Sequence, residues 1–366
     1  MWLFIVVFLI YNLLIFYIGW NGLKWLKSIF NGIKRRLKYL YWILLVLFAY
    51  SFIISRWAGD HNLINWTGAI WLGLFYIFMI LLPLVNLTVY LIKFTNIARD
   101  KAIKWAGIIT LLIAACLFTV GVFTAYHPVV TSYKISIPKQ VEGEKNYKIV
   151  MASDLHFSYM VGSGQAEKLV RMINSLHPDL VLLPGDMISD DIDPYLKEGI
   201  PDILKKIKAP VYASLGNHDR EDPNVDLIKT FNNSGMKLLA DEVVELDNGI
   251  TLVGRKDRGY QDVKRMALSE LMVQTNPTKP VILLEHQPYD LDIAKRNGVD
   301  LILSGHTHQG QIFPGNLVTN RIYENDWGYL KKGQLQSIVS SGYGFWGTPL
   351  RIGTKSEVVQ IDISFK

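Results

Sequence analysis

The chain has 366 residues, 50% of them hydrophobic, with 38 Lys+Arg against 32 Asp+Glu and a formal charge of +6. That apolar content is high for one soluble globule. The single cysteine, Cys116, excludes an intrachain disulfide and any cysteine-built metal site. The excess positive charge sits in residues 1–126, which hold 11 Lys+Arg and only Asp60 and Asp100, whereas 127–366 hold 27 Lys+Arg and 30 Asp+Glu. The high pI therefore reflects the loops of an apolar N-terminal part, and no nucleic-acid partner is expected.

Four membrane spans are predicted in that part. Met1–Trp20 carries no charged side chain, and at 1.5 Å per residue it is about as long as a bilayer core is thick. It lacks the basic start and small-residue cleavage site of a signal peptide, so it reads as an uncleaved span. The others are Tyr39–Ser55, roughly Ile64–Ile92, and Trp105–Tyr126, with Trp and Tyr gathered at several ends as expected at headgroup level. The first loop holds Lys24, Lys27, Lys34, Arg35, Arg36 and Lys38 without an acid. The second holds Arg56 against Asp60, and the third Lys93, Arg99, Lys101 and Lys104 against Asp100. The positive-inside rule then puts loops one and three in the cytoplasm and everything after Tyr126 outside. A re-entrant turn at Pro83 would reverse that orientation. Residues 127–146 read as a connector that can contribute a first strand.

From Tyr147 a second pattern recurs, in which a short apolar run ends in a polar cluster. The instances are YKIVMASDLH (147–156), DLVLLPGD (179–186), PVYASLGNHD (210–219), PVILLEH (280–286) and DLILSGHTH (300–308). Such continuous runs suit strands buried on both faces. Helical patterns lie between them at Gln165–Leu176, Tyr195–Ile207, Val225–Asn233 and Asp262–Gln274. In open α/β sheets ligands gather beyond the carboxyl ends of the strands, and all five clusters fall at that edge.

His156, His218, His286, His306 and His308 are five of the eight histidines, and each follows a predicted strand. His61, His127 and His177 read as structural or solvated. With Asp154, Asp186 and Asn217, the strand ends offer imidazole, carboxylate and amide donors and no thiolate. That set suits Mn, Fe, Zn or a mixed pair. Seven or eight ligands are too many for one such ion, whereas two ions sharing a bridging carboxylate would use them.

The order Asp154-Leu155-His156, Gly185-Asp186, Gly216-Asn217-His218-Asp219, His286, Gly305-His306-Thr307-His308 resembles the calcineurin-like metallophosphoesterases, in particular bacterial membrane-bound members, over roughly 147–366. The resemblance implies a four-layer α/β/β/α sandwich behind the spans. It implies one divalent metal on Asp154, His156 and His308, and another on Asn217, His286 and His306, with Asp186 between them. It also implies His218 as general acid or phosphate-orienting group; Asp219 is open between holding that ring and serving as a turn or helix-cap residue. The expected reaction is hydrolysis of a phosphate mono- or diester by water that two metal ions activate while neutralising the phosphoryl oxygens.

A membrane- or envelope-associated substrate, possibly a lipid, is the natural partner of a tethered site. Alternatives on the same fold are a cyclic-nucleotide phosphodiesterase, a phosphoprotein phosphatase and a nucleotide-sugar-lipid pyrophosphatase. Outside the enzymes, the alternative is a membrane sensor with an idle metal domain.

Several stretches stay open between readings. Gln309 stands where many relatives of that family have glycine. Arg255-Lys256-Asp257-Arg258 behind the Asn248-Gly249 turn is a solvated charge run or a phosphate site. Phe157, Tyr159, Met160, Phe345 and Trp346 are core packing or a lipid groove. Ser189-Asp190-Asp191 reads as a solvated loop.

Overall fold

The computed structural model describes every residue except 1, 31, 56–61, 144, 221–224 and 259–264. The expectations for Arg56, Asp60 and His61 lie outside the described residues. The chain divides into two compact units, Met1–Val122 with Gly347–Pro349, and Phe123–Trp346 with Leu350–Lys366.

Four helices dominate the first: α1 (Trp2–Phe30), α2 (Arg35–Ile54), α3 (Asn62–Leu91) and α4 (Arg99–Tyr126). Each is long and apolar enough to cross a membrane. Pro83 does not turn the chain back, because α3 continues through it to Leu91; neighbouring helices let a membrane helix tolerate the missing donor. Helix α1 extends past Trp20 to Phe30, so Lys24 and Lys27 are helical. Leu13, Leu44, Leu84 and Leu112 point outward with more than half of their surface exposed. Such faces are unfavourable in water and at ease in lipid. The centre is small, built on Ile15, Ile18, Ala49, Trp71 and Leu82. Its polar atoms are paired, with Trp71 Nε1 donating to Tyr11 Oη (2.8 Å) and Tyr11 Oη to the Ala49 carbonyl (2.6 Å).

The second unit is built on two six-stranded sheets. The first contains β1 (Val129–Ile137), β2 (Asn146–Met151), β3 (Leu180–Pro184), β4 (Val211–Ser214) and β5 (Lys237–Leu238), with β12 (Glu357–Phe365) inserted between β1 and β2. Strands β2 to β5 are parallel, and β12 runs against β2. The predicted connector thus supplies an edge strand. The second sheet runs β10-β11-β9-β8-β7-β6, from β6 (Glu242–Glu245), β7 (Thr251–Gly254), β8 (Val281–Leu284), β9 (Leu301–Ser304), β10 (Gly328–Lys332) and β11 (Leu335–Val339). Its inner strands β7, β8, β9 and β11 are parallel, and β6 and β7 form an antiparallel hairpin around the Asn248-Gly249 turn.

Alternation along the strands makes the layers. Ile149, Met151, Leu180 and Leu182 of the first sheet pack against Ile282, Leu284, Leu301 and Leu303 of the second. The intervening residues Val150, Val181 and Leu183 turn to an outer layer of helices α5 (Ser163–Ser175), α6 (Asp193–Lys197), α7 (Ile200–Leu204) and α8 (Leu227–Asn232). On the other outer face, Val281, Leu283 and Ile302 meet α9 (Leu268–Met272) and α10 (Leu291–Arg296), and α11 (Gly315–Ile322) follows the last metal-motif cluster. The result is the expected four-layer α/β/β/α sandwich, and both faces of β2, β3, β8 and β9 are buried, as their unbroken apolar runs require. The helix expected over Tyr195–Ile207 is two short pieces, broken at Gly199 with φ +66°. That expected over Asp262–Gln274 is reduced to α9 within the described residues.

Candidate metal centre

The turns after β2, β3, β4, β8 and β9 bring the predicted donors together. Asp154, His156 and His308 offer ligand atoms within 4.8 Å of one another, and so do Asp154, Asp186 and His286. The Asp186 carboxylate lies between the two groups, with Oδ2 3.7 Å from His156 Nε2 and 3.0 Å from His286 Nε2. His308 Nε2 is 3.4 Å from Asp154 Oδ1 and 3.0 Å from His156 Nε2. Asn217 Oδ1 lies 2.8 Å from His306 Nδ1, on the side of His286, whose ring is edge-on to that of His306 at 5.3 Å. All seven donors expected from the sequence are thus in one site, and Asp154 reaches both groups.

The backbone is bent to do this. Asp154, His156, Asp186, His306 and His308 all have φ between 48° and 69°, the left-handed region that non-glycine residues avoid. Strain of this kind costs of order 1–3 kcal/mol per residue and persists where surrounding structure fixes it. Part of that fixing is hydrogen bonding: the His306 amide donates to Asp154 Oδ1 (2.9 Å) and the His218 amide to Asp186 Oδ1 (2.8 Å). The motif glycines are there for space. A Cβ at Gly216 would collide with the Asp186 carboxylate, and one at Gly305 with that of Asp154. Gln309 also has a left-handed backbone, φ 51°, a conformation glycine adopts without cost.

The donor set fits divalent metal ions. His286 Nδ1 lies 2.9 Å from the Pro184 carbonyl and so donates to it, while its buried Nε2 has no hydrogen-bond partner among the described residues despite standing beside Asp186. Ion pairing by proximity without hydrogen-bond alignment is what two donors converging on a cation look like, and the carbonyl behind the ring is the usual orienting partner of a ligating histidine. His156 is oriented in the same way by Ser189 Oγ, 3.1 Å from Nδ1.

The electrostatics agree. Burial pushes His156 and His306 down to about 4, and His308 well below its ordinary value, so these imidazoles are neutral and carry lone pairs at neutral pH. Burial lifts the Asp154 carboxyl to about 6. It would also lift Asp186, but His286 and His156 outweigh it and hold that carboxyl below the usual range. Burial likewise disfavours charge on His286, yet Asp186 and Asp154 draw it well above the ordinary value. Two buried carboxylates thus pull positive charge onto the one ring between them, a demand a divalent ion would meet.

His218 lines the site without joining either group. Its ring is edge-on to His156 at 5.2 Å and 5.7 Å from that of Trp346, and its Nδ1 is 3.0 Å from Asp190 Oδ1. Arg220 Nε holds the same oxygen at 2.7 Å. Burial would lower the His218 pKa, but the Asp190 contact and the Asp186 charge raise it above the usual value. The partner expected for this ring, Asp219, is elsewhere. Its carboxylate is fully buried and accepts from the amides of Asp186 (2.8 Å), Ile188 (3.1 Å) and Gly216 (2.9 Å). It ties the β3 and β4 turns together and is a positioning residue, because side chains of adjacent residues in a turn diverge.

Other expectations change as well. In Ser189-Asp190-Asp191 the two acids are exposed, as expected of a solvated loop, yet Ser189 and Asp190 also contact His156 and His218. Arg255 bonds Glu285 (2.9 Å) and the Met266 carbonyl (2.7 Å), while the buried Asp257 accepts from Gln287 Nε2 (2.8 Å). Arg258 pairs with Asp290 at 3.1 Å. That stretch is a set of ion pairs and hydrogen bonds, half sunk into the domain. Phe157 and Phe345 belong to the core, with Phe345 edge-on to Tyr126 at 5.2 Å; Trp346 is 51% exposed. His127 stacks on Phe123 and His177 is exposed, both away from the site.

Arg351 also belongs to the site. It is fully buried, and its Nη2 donates to the carbonyls of Gly344 (2.7 Å) and Gly342 (3.3 Å) and lies 3.1 Å from His308 Nδ1. It pins the glycine-rich turn against His308. No local pattern marks it.

The profile of the calcineurin-like phosphoesterases matches residues 147–310. An uncharacterized metallophosphoesterase of Helicobacter pylori (strain J99) is 31% identical over 223 residues, 60% of each chain. A transmembrane protein with metallophosphoesterase domain from Danio rerio is 28% identical over 271 residues, 69% of this chain and 62% of that one. A metallophosphoesterase of Campylobacter jejuni is 31% identical over 281 residues, 73% of each. The chain therefore matches about three fifths of the length of the first two relatives and 73% of the third.

Proposed function

The chain belongs to the calcineurin-like phosphoesterase family of metal-dependent phosphoester hydrolases, and from that premise we propose a membrane-anchored enzyme with a dinuclear centre acting on a membrane- or envelope-associated phosphate ester. In this reading residues 1–126 are the transmembrane part, 127–146 the connector and 147–366 the catalytic domain. Asp154, His156 and His308 would hold one ion and Asn217, His286 and His306 the other, with Asp186 placed to serve both. The observation that carries it is the Asp186 carboxylate, 3.7 Å from His156 on one side and 3.0 Å from His286 on the other. Ions so held would activate water and neutralise the phosphoryl oxygens.

The protein's own groups do the rest. His218, whose protonated form the Asp190 contact favours, donates a proton to the leaving oxygen or a hydrogen bond to the phosphoryl group. Such an acid is worth about 10²–10⁴-fold in rate. Asp219 and Arg351 hold the turns. The basic first and third loops support a cytoplasmic side for those loops and an extracytoplasmic catalytic domain. A site tethered to a bilayer meets substrates of that surface at raised effective concentration, which supports a phosphodiester or phosphomonoester of lipid or envelope origin.

The test is hydrolysis of bis-p-nitrophenyl phosphate and p-nitrophenyl phosphate by the full chain in detergent, metal-stripped and then supplied with Mn²⁺, Zn²⁺ or Fe²⁺. Metal-dependent turnover lost in Asp186→Asn is expected. Turnover that survives stripping would refute the proposal.

A further inference from the structure

The four-helix unit contains a cavity of about 1310 Å³, above the roughly 300–1,000 Å³ of ordinary small-molecule pockets. Its walls include Trp20, Trp25, Phe78 and Leu82, with Asn21 and Asn86 among them. Polar groups there have partners: Asn86 Nδ2 donates to Tyr17 Oη (2.7 Å), and Tyr41 Oη to the Gly19 carbonyl (2.9 Å). What the wall offers a ligand is chiefly apolar and aromatic surface.

The mouth is different. The cavity reaches inward to Phe48 of α2 and Trp71 of α3, and at one end of the unit it opens among the last turn of α1, the segment that follows α3 and the first turn of α4. Lys24, Lys27, Lys93 and Arg99 line it there, all solvent-exposed, against Asp100, the one acid among the described lining residues. Lys24 lies over the Trp20 ring at 5.3 Å and Lys93 over the Tyr90 ring at 3.6 Å, contacts that leave the charge uncancelled. Along α1 the lining runs from Tyr17 to Ser28, a rise of about 17 Å and so roughly one leaflet of a ~30 Å bilayer core.

A space with apolar walls between membrane helices is filled by hydrocarbon, since an unfilled wall loses its dispersion contacts and buried water would lack hydrogen-bond partners. A basic mouth at the leaflet boundary selects among head groups. We propose that this cavity binds one anionic glycerophospholipid, with an acyl chain between the helices and the phosphate head among Lys24, Lys27, Lys93 and Arg99. The spans then form a lipid site as well as an anchor. This inference is independent of the catalytic reading.

Native mass spectrometry of the full chain released from detergent tests it, with dioleoyl phosphatidylglycerol or dioleoyl phosphatidylcholine added. One phosphatidylglycerol retained per chain is expected, preferred over phosphatidylcholine by on the order of tenfold or more. Lys24→Gln/Lys93→Gln/Arg99→Gln should abolish the preference. Lys34→Gln/Arg36→Gln/Lys38→Gln, which removes equal charge outside the cavity, should keep it, and millimolar inorganic phosphate should leave the lipid bound. Equal retention of the two lipids, or of neither, by the unaltered chain would overturn the proposal. So would equal loss in both triple variants, which would mean surface attraction alone, or displacement by phosphate, which would mean a free-anion site.

Discussion

His218 Nδ1 faces the Asp190 carboxylate at 3.0 Å, so replacing Asp190 by Asn removes a charge that raises the imidazole pKa. In the proposed mechanism the acid form of His218 is the useful one, and a lower pKa means it is lost at lower pH. Asp190→Asn should therefore move the alkaline fall of kcat to lower pH, read from a pH–rate profile, without changing metal content. His218→Ala should cost about 10²–10⁴ in kcat and abolish that limb of the profile, again with the metals retained. Asp219 predicts the opposite kind of outcome. Its loss strands three buried backbone amides, each costing about 1–3 kcal/mol when unsatisfied. Asp219→Ala should thus lower the urea midpoint sharply, and a variant with unchanged stability would remove Asp219 from its positioning role.

At the scale of elements, the turns are the working parts and the strands their supports. Gly216→Ala sets a methyl against Asp186 and should weaken metal binding by at least about tenfold, the range seen when the supporting shell of a metal site is disturbed; inductively coupled plasma analysis after dialysis would read it. Five of the turns could be read from sequence because a strand buried on both faces is an unbroken apolar run, and a histidine directly behind it has few structural reasons to be there. Asp190 could not be read that way. It sits among Ser189 and Asp191 in what looks like a polar loop, and only the folded chain carries it from the β3 turn to a ring on the β4 turn. Its one signal was position, four residues behind Asp186 at the same strand end. Arg351 is 43 residues from His308, and nothing local distinguishes it. Of the two readings open for Asp219 the folded chain takes the turn residue, since neighbours in sequence need not direct their side chains to one place. The broken helix over Tyr195–Ile207 followed from Gly199, whose left-handed backbone overrode an otherwise helical apolar pattern.

At the scale of the molecule, four apolar helices and an α/β sandwich make a membrane protein with an enzyme fold. The proposed orientation rests on the basic loops and is open to labelling. In a Cys116→Ser background, His177→Cys should react with a membrane-impermeant maleimide on intact cells, while Lys34→Cys should react only after permeabilisation; the reverse pattern would put the domain in the cytoplasm. The central claim, a dinuclear phosphoesterase, is tested most directly by titrating the metal-stripped full chain with Mn²⁺ or Zn²⁺ while following bound metal and p-nitrophenyl ester hydrolysis together. Turnover that rises as the second equivalent binds, with both binding and turnover lost in Asp186→Asn, is the predicted result. Saturation at one equivalent, or hydrolysis indifferent to metal, would contradict the account.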